Sequence, residues 1–151
     1  WVSEMMLNVQ SDFLFINDGE ARQFANTPSL VKAGRLLQSW GPKYVVIKKG
    51  EHGALLFGTN TFFAAPAFPL EEVYDPTGAG DTFAGGFMGH LAKTSDISFE
   101  NMKRGIIVGS AMASFCVEKF GPTRLKEVTK NDIDARIQQF KDLVSFEIEL
   151  V

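Results

Sequence analysis

The chain has 151 residues, 45% hydrophobic and 22% charged, with a formal net charge of −3. That length and balance fit one soluble globular domain with a real core, and the interspersed charges give neither a nucleic-acid footprint nor a polybasic membrane patch. No apolar run approaches the roughly 20 residues of a membrane span, and the single cysteine, Cys116, excludes an internal disulfide and fits a reduced, cytoplasmic setting.

In chain order, Trp1 to Val9 reads as the middle of an amphipathic helix, with no basic region or cleavage pattern of a signal peptide. The sequence therefore reads as a piece of something longer. Asp12–Asn17 is a short apolar run bounded by polar residues, the pattern of a buried strand. Helical stretches follow at Asp18–Ala25 and Ser29–Trp40, with Thr27-Pro28 expected to supply the cap and first-turn proline of the second. Gly41-Pro42 stops it, and Tyr44–Lys48 is a second strand rich in β-branched residues. A turn at Gly50–Gly53 leads into a hairpin of Ala54–Phe57 and Thr61–Ala65.

After a proline-broken loop, a short extended piece at Glu72–Tyr74 enters a glycine-rich turn, Asp75-Pro-Thr-Gly-Ala-Gly-Asp81. Helices are expected from near Gly80 to Ala92, over Phe99–Glu118 and near Lys130–Leu143, with a loop at Lys119–Thr123. The tail Phe146–Leu150 alternates like an edge strand. Strands alternating with helices predict an α/β fold with a mostly parallel sheet covered on both faces.

The glycine-rich turn carries the chemistry. Gly78, Ala79 and Gly80 leave backbone N–H groups uncovered at a helix N-terminus, where orphan donors and the positive end of the helix dipole attract a phosphate or developing oxyanion. A carboxylate at Asp81 beside that nest suits an acceptor for the proton of an attacking hydroxyl. The plainer reading is a tight turn with Asp81 as an N-cap. Neither the Walker A pattern nor the dinucleotide fingerprint fits the spacing. On residues alone, this is an anion-binding turn with a nearby acid.

The run Asp-Pro-Thr-Gly-Ala-Gly-Asp-Thr-Phe, followed by Ala-Gly-Gly-Phe, resembles the second signature of the PfkB-type, ribokinase-like carbohydrate kinases. The resemblance implies a three-layer α/β/α fold, Asp81 as catalytic base and the Gly78, Ala79 and Gly80 amides as the anion hole. Asn17-Asp-Gly-Glu20 resembles the family's Asn-x-x-Glu motif, which organises Mg²⁺ and phosphates largely through water. Capping of the following helix explains the same residues. Lys48-Lys-Gly-Glu-His-Gly53 resembles the Thr-x-Gly-x-x-Gly turn near the nucleotide phosphates, so Gly50 and Gly53 belong to that turn. Lys48 stands where threonine is common; it either reaches a phosphate as a point charge or lies solvated beside Lys49. His52 reads as an exposed turn residue.

The segment Gly109–Thr123 occupies the family's adenine-side helix and following loop, where small residues such as Ala111 and Ser114 let a purine lie flat. Close helix packing explains those residues equally well, and Cys116 reads as core. The resemblance further implies a monovalent cation, K⁺, near Asp75 and Thr77, with Phe120, Gly121 and Thr123 as weaker candidates. Together these matches imply an ATP- and Mg²⁺-dependent kinase acting on a hydroxyl of a sugar or nucleoside, with no nucleic-acid or membrane partner.

The resemblance runs from about Asp12 to Phe140 in family order, but family members are about twice this length. It implies that residues 1–151 are the C-terminal nucleotide-binding and catalytic part, with its core at about 12–143. The N-terminal half with the sugar-binding residues and the lid, which often mediates pairing into homo-oligomers, lies outside this sequence. Two alternatives remain: a nucleotide-binding fragment without turnover, and a vitamin-precursor kinase of the same superfamily, whose glycine motif usually differs.

Overall fold

A computed structural model of the chain describes residues 12–149. The elements run β1 (Phe13–Asn17), α1 (Asp18–Ala25), α2 (Leu30–Ser39), β2 (Tyr44–Lys48), a 3-10 turn (Gly50–His52), β3 (Ala54–Gly58) and β4 (Thr61–Ala65). Four helices follow: α3 (Ala79–Thr94), α4 (Phe99–Cys116), α5 (Thr123–Glu127) and α6 (Lys130–Val144). The amphipathic reading of Trp1–Val9 lies outside the described residues. Among the described residues no helix is long and apolar enough to cross a membrane.

The strands form one sheet in sequence order. β1 and β2 pair in parallel, in a register that sets Asn17 beside Lys48. β2–β3 and β3–β4 pair antiparallel. The sheet is therefore mixed, and the expected parallel character rests on one pair. The lengths of the connections decide this: two helices separate β1 from β2, long enough for a parallel crossover, whereas a 3-10 turn and a two-residue hairpin force the other pairs antiparallel. Asn60, at the tip of that hairpin, takes the left-handed conformation the turn demands (φ 55°).

Alternation along the strands divides the core into two layers. Val45 and Ile47 face α1 and α2, where they join Ile16, Ala33, Leu37 and Phe57. Val46 and Leu56 face the other way, onto Phe83, Phe87 and Leu91 of α3 and Ile106 of α4. Helices thus cover both faces, giving the three-layer α/β/α arrangement. Phe87 is fully buried and meets the rings of Phe13 and Phe15 edge-on at 5.7 and 5.5 Å. Burying one such side chain contributes roughly 1.5–3 kcal/mol.

Glycines bring α3 and α4 into close contact. A Cβ on Gly109 would stand 2.7 Å from the Phe83 carbonyl oxygen, and one on Gly86 would stand 3.0 Å from the Gly109 Cα. On the opposite face, α2 reaches the sheet through Gly34, whose missing Cβ leaves room for the Phe57 ring.

Several boundaries differ from the sequence expectations. Ser29, not Thr27, caps α2, its hydroxyl accepting from Lys32 N; Thr27 instead accepts from Ser29 N, one step upstream. Glu72–Tyr74 joins no strand, although Tyr74 N donates to Val117 O at 2.9 Å. The short α5 occupies a stretch with too few residues to show helical periodicity. Residues 145–149 form no strand, and Leu150 lies outside the described residues.

Two glycines of similar sequence context should respond oppositely to alanine. Gly34→Ala forces its methyl into the Phe57 ring and is expected to cost about 1–3 kcal/mol. Gly89→Ala, on an exposed face of α3 with open space for its methyl, should add up to about 1 kcal/mol through helix propensity. Urea unfolding of the two variants measures both; the same sign for both would refute the packing account.

Candidate active site

The glycine-rich turn closes α3 onto the C-terminal edge of the sheet. Gly78 is the N-cap, with φ 81°, and contributes no side-chain cap. That left-handed backbone suits glycine and swings the chain from Asp75-Pro-Thr into the helix. Asp81 sits in the first helical turn, three residues past the cap, so it is not the N-cap. Its side chain is exposed and has no hydrogen bond or ion pair among the described residues.

The donors at this helix start divide unevenly. The N–H of Ala79 is already given to Pro76 O at 3.2 Å, while Thr82 N closes the first turn on Gly78 O. The N–H groups of Gly78 and Gly80 take no backbone acceptor among the described residues. The open donors of the expected trio are therefore its two glycines.

Lys48, the last residue of β2, reaches this turn. Its Nζ lies 2.7 Å from where a Cβ on Gly80 would stand, so the ammonium occupies space that only glycine leaves free. No carboxylate pairs with it among the described residues. The Lys48 ammonium, two open N–H groups and a helix N-terminus thus belong to one turn, with the Asp81 carboxylate in it as well.

Asn17 and Glu20 form a reciprocal capping box at the start of α1. Asn17 Oδ1 accepts from Glu20 N at 2.8 Å, and Glu20 Oε2 accepts from Asn17 N at 3.1 Å. The parallel register nevertheless sets Asn17 beside Lys48. Gly50 (φ 57°) opens the 3-10 turn and Gly53 (φ 88°) closes it. At Gly53 the Ala65 carbonyl fills the place of a side chain, which pins the turn to the end of β4. His52 is exposed and faces Glu51 at 3.6 Å, as a turn residue would.

A cleft of about 630 Å³ opens beside this turn, in the size range of small-molecule sites. Its floor includes Lys48, Gly50, Gly53, Ala79 and Gly80, and Phe68 contributes from the loop after β4. The α4 wall is Ser110, Ala113, Ser114 and Val117, a stripe at helical spacing. Ser114 joins it as expected. Ala111 does not, because its side chain is fully buried a third of a turn away. Ser110, Ala113 and Val117 fall within the segment Gly109–Thr123 expected on the adenine side, though only Ala111 and Ser114 were expected there as contacts, and Phe68 was not singled out; the i, i+3, i+4, i+7 spacing of the first three with Ser114 was the available signal. A larger groove of about 930 Å³ between α3, α4 and α6 shares only Thr82 with the glycine motif. The smaller cleft is therefore the candidate site.

Asp75 links the start of the glycine turn to the loop after α4. Its Oδ1 accepts from Thr77 N at 2.9 Å and its Oδ2 from Gly121 N at 3.4 Å. Thr77, through its side chain and then its N–H, holds the Asp75 carboxyl below the usual carboxylate range, with a smaller contribution from Gly121. Beneath the turn, buried Cys116 donates to Thr77 O at 3.6 Å. Asp75, Thr77 and Gly121 are thus brought together, whereas Phe120 is 71% exposed.

Among the described residues no group of three or more His, Cys, Asp or Glu forms a metal cage. A site resting on one carboxylate and water fits Mg²⁺ better than an all-protein cage does. Glu20 meets that requirement, since the capping box engages only its Oε2.

Residues 3–129 match the family described as pfkB family carbohydrate kinase. Cytidine kinase of Thermococcus kodakarensis is 43% identical over 79 residues, covering 51% of this chain and 28% of that protein. Nucleoside kinase of Methanocaldococcus jannaschii is 31% identical over 120 residues, covering 78% of this chain and 37% of that protein. Aminoimidazole riboside kinase from Salmonella enterica, complexed with aminoimidazole riboside and an ATP analogue, has a TM-score of 0.77 at 22% identity, which shows the shared fold. That match covers 90% of this chain and 46% of the other. The chain spans less than half the length of each of these three proteins.

The Asp75 contacts carry a pH signature. Because its carboxyl is lowered in the folded chain, the stabilisation is present above the unfolded value of about 3.9 and lost as pH falls through the folded value. Asp75→Asn should therefore lower the melting temperature at pH 7, and the gap to the parent should narrow towards pH 3. A gap that stays constant across this range would mean that the charge of Asp75 contributes nothing.

Proposed function

The chain belongs to the pfkB family of carbohydrate kinases, and from that premise we propose that its cleft transfers the γ-phosphoryl group of ATP to a hydroxyl of a sugar or nucleoside. One observation carries the proposal: the Lys48 ammonium, unpaired among the described residues, rests against Gly80 at the open start of α3. A buried or half-buried cation without a carboxylate partner, aimed at free backbone donors, is arranged for an anion.

In this reading Lys48 and the Gly78 and Gly80 N–H groups hold the phosphoryl oxygens. The Ala79 N–H contributes only by leaving its Pro76 bond. Asp81 accepts the proton of the attacking hydroxyl as the new O–P bond forms and the bond to the β–γ bridging oxygen breaks, releasing ADP. The helix start and the ammonium stabilise charge on the transferring group and need no rearrangement to do so. Glu20, with Asn17 orienting it, is the group that would hold Mg²⁺ through water, and the ion would supply charge neutralisation along the phosphates. Asp75 and Thr77 are the candidates for K⁺. The gap between Ser110, Ser114 and Phe68 takes the base of the nucleotide, while Gly50 and Gly53 shape the turn beneath the phosphates.

The two curated relatives described above are named as cytidine and nucleoside kinases, which makes a ribose-bearing acceptor the first class to test. A second reading, nucleotide binding without turnover, is favoured by one fact. The chain spans 28% of the first of those relatives and 37% of the second, and acceptor-binding residues of a whole kinase need not lie within it.

Calorimetric titration with ATP, beside coupled ADP release over a panel of sugars and nucleosides, separates the readings. Acceptor-dependent release supports transfer; saturable binding without release supports the second reading. Asp81→Asn should leave ATP affinity within about twofold and reduce release by at least roughly 100-fold. Near-parental turnover in that variant would remove Asp81 from the role of base.

A further inference from the structure

Arg136, on α6, does not line the cleft, yet it touches both elements that face each other across part of it. Its guanidinium centre lies 4.1 Å from the Phe115 ring centroid and 4.6 Å from that of Phe68. Phe115 belongs to α4, and Phe68 to the loop between β4 and the glycine turn. One planar cation is thus stacked between two rings that no backbone hydrogen bond joins.

Both terminal nitrogens of the same group are engaged. Nη1 donates to Ser114 Oγ at 2.5 Å and Nη2 to Glu118 Oε1 at 2.6 Å, while Arg124 Nε donates to Glu118 Oε2 at 3.0 Å. Ser114 spends its own proton on Ala111 O at 2.7 Å, which leaves its oxygen free to accept from Arg136 and fixes the hydroxyl rotor. The Arg136 side chain is only 14% exposed, so this network is largely shielded from solvent.

We propose that Arg136 is a positioning residue for the nucleotide base: by holding Phe68 and Ser114 at a fixed separation it sets the width of the slot that admits a flat heterocycle. This rests on the reading of the cleft as a nucleotide site. The phosphate groups are held by a different part of the chain, the end of β2 and the start of α3, to which Arg136 makes no contact. Its loss should therefore weaken recognition of the base and spare recognition of the phosphates. Lysine cannot substitute, because it lacks both the plane that stacks and the fork that bonds Ser114 and Glu118 together.

The test compares ATP with inorganic tripolyphosphate, which carries the phosphate chain without a base. In Arg136→Gln and Arg136→Lys, the Kd for ATP should rise roughly tenfold, as expected for loss of a desolvated cation–π stack. The Kd for tripolyphosphate should stay within about twofold. Phe115→Leu, which breaks the stack from the α4 side at a ring that does not line the cleft and leaves Arg136 in place, should show the same split. Lys119→Gln, which removes a nearby surface cation paired with Glu127 and touches neither ring nor Ser114, should bind both probes like the parent.

Equal weakening for both probes, or ATP affinity unchanged in folded Arg136 and Phe115 variants, would overturn the inference. Failure of the parent chain to bind ATP would instead overturn the nucleotide reading beneath it. Thermal melts establish which variants are folded, and Phe115→Leu keeps the test open if the Arg136 variants are not.

Discussion

The site depends on a helix that starts without a side-chain cap. At α3, Gly78 turns the chain through a left-handed conformation and offers no oxygen to the first-turn amides. In α1, α2 and α4, by contrast, an Asn or Ser side chain fills that role. Leaving donors open costs stability unless water or a ligand takes them. The lysine at the end of β2 adds a second local cost, because its ammonium sits against the same positive helix end. Both features are unfavourable for folding and favourable for holding an anion, and they occur where the motif residues meet.

That arrangement requires a closely fitted scaffold. The β1–β2 register carries Asn17 and Lys48 to the same edge of the sheet. Gly53, with the Ala65 carbonyl in the space of its side chain, holds the neighbouring turn down. Gly86 and Gly109 let α4 lie close against α3, so the Ser110–Val117 stripe forms a wall beside the helix start rather than a separate surface. Each substitution of glycine by a larger residue at these positions would move one wall relative to another.

Much of this was legible in the sequence where the signal is local. β2 and α1 have the expected limits, and the glycine turn leads directly into a helix, as its composition implies. What was not legible depended on competition between neighbours. Thr27 and Ser29 both qualify as caps, and only the chain path decides between them. The three amides of the glycine turn look equivalent in sequence, yet Gly78, at φ 81° and ψ −3°, turns the chain so that the Pro76 carbonyl meets Ala79 N. Ala111 and Ser110 are both small, and the rotation of α4 alone determines which faces the cleft. Arg136 gave no sequence signal, because its partners Phe68 and Ser114 are distant along the chain.

The sheet's mixed pairing also bears on the order of assembly. β2, β3 and β4 form a meander closed by two short turns, so their contacts are local and inexpensive in loop-closure entropy. The contacts that define the site are of the other kind: Asp75 reaches Gly121 across 46 positions, and Cys116 reaches Thr77 across 39. A chain that has made its hairpins still lacks its anion nest. By loop-closure cost alone, the β2–β4 meander would precede these contacts, and a partly folded molecule would hold that meander before it holds the candidate site.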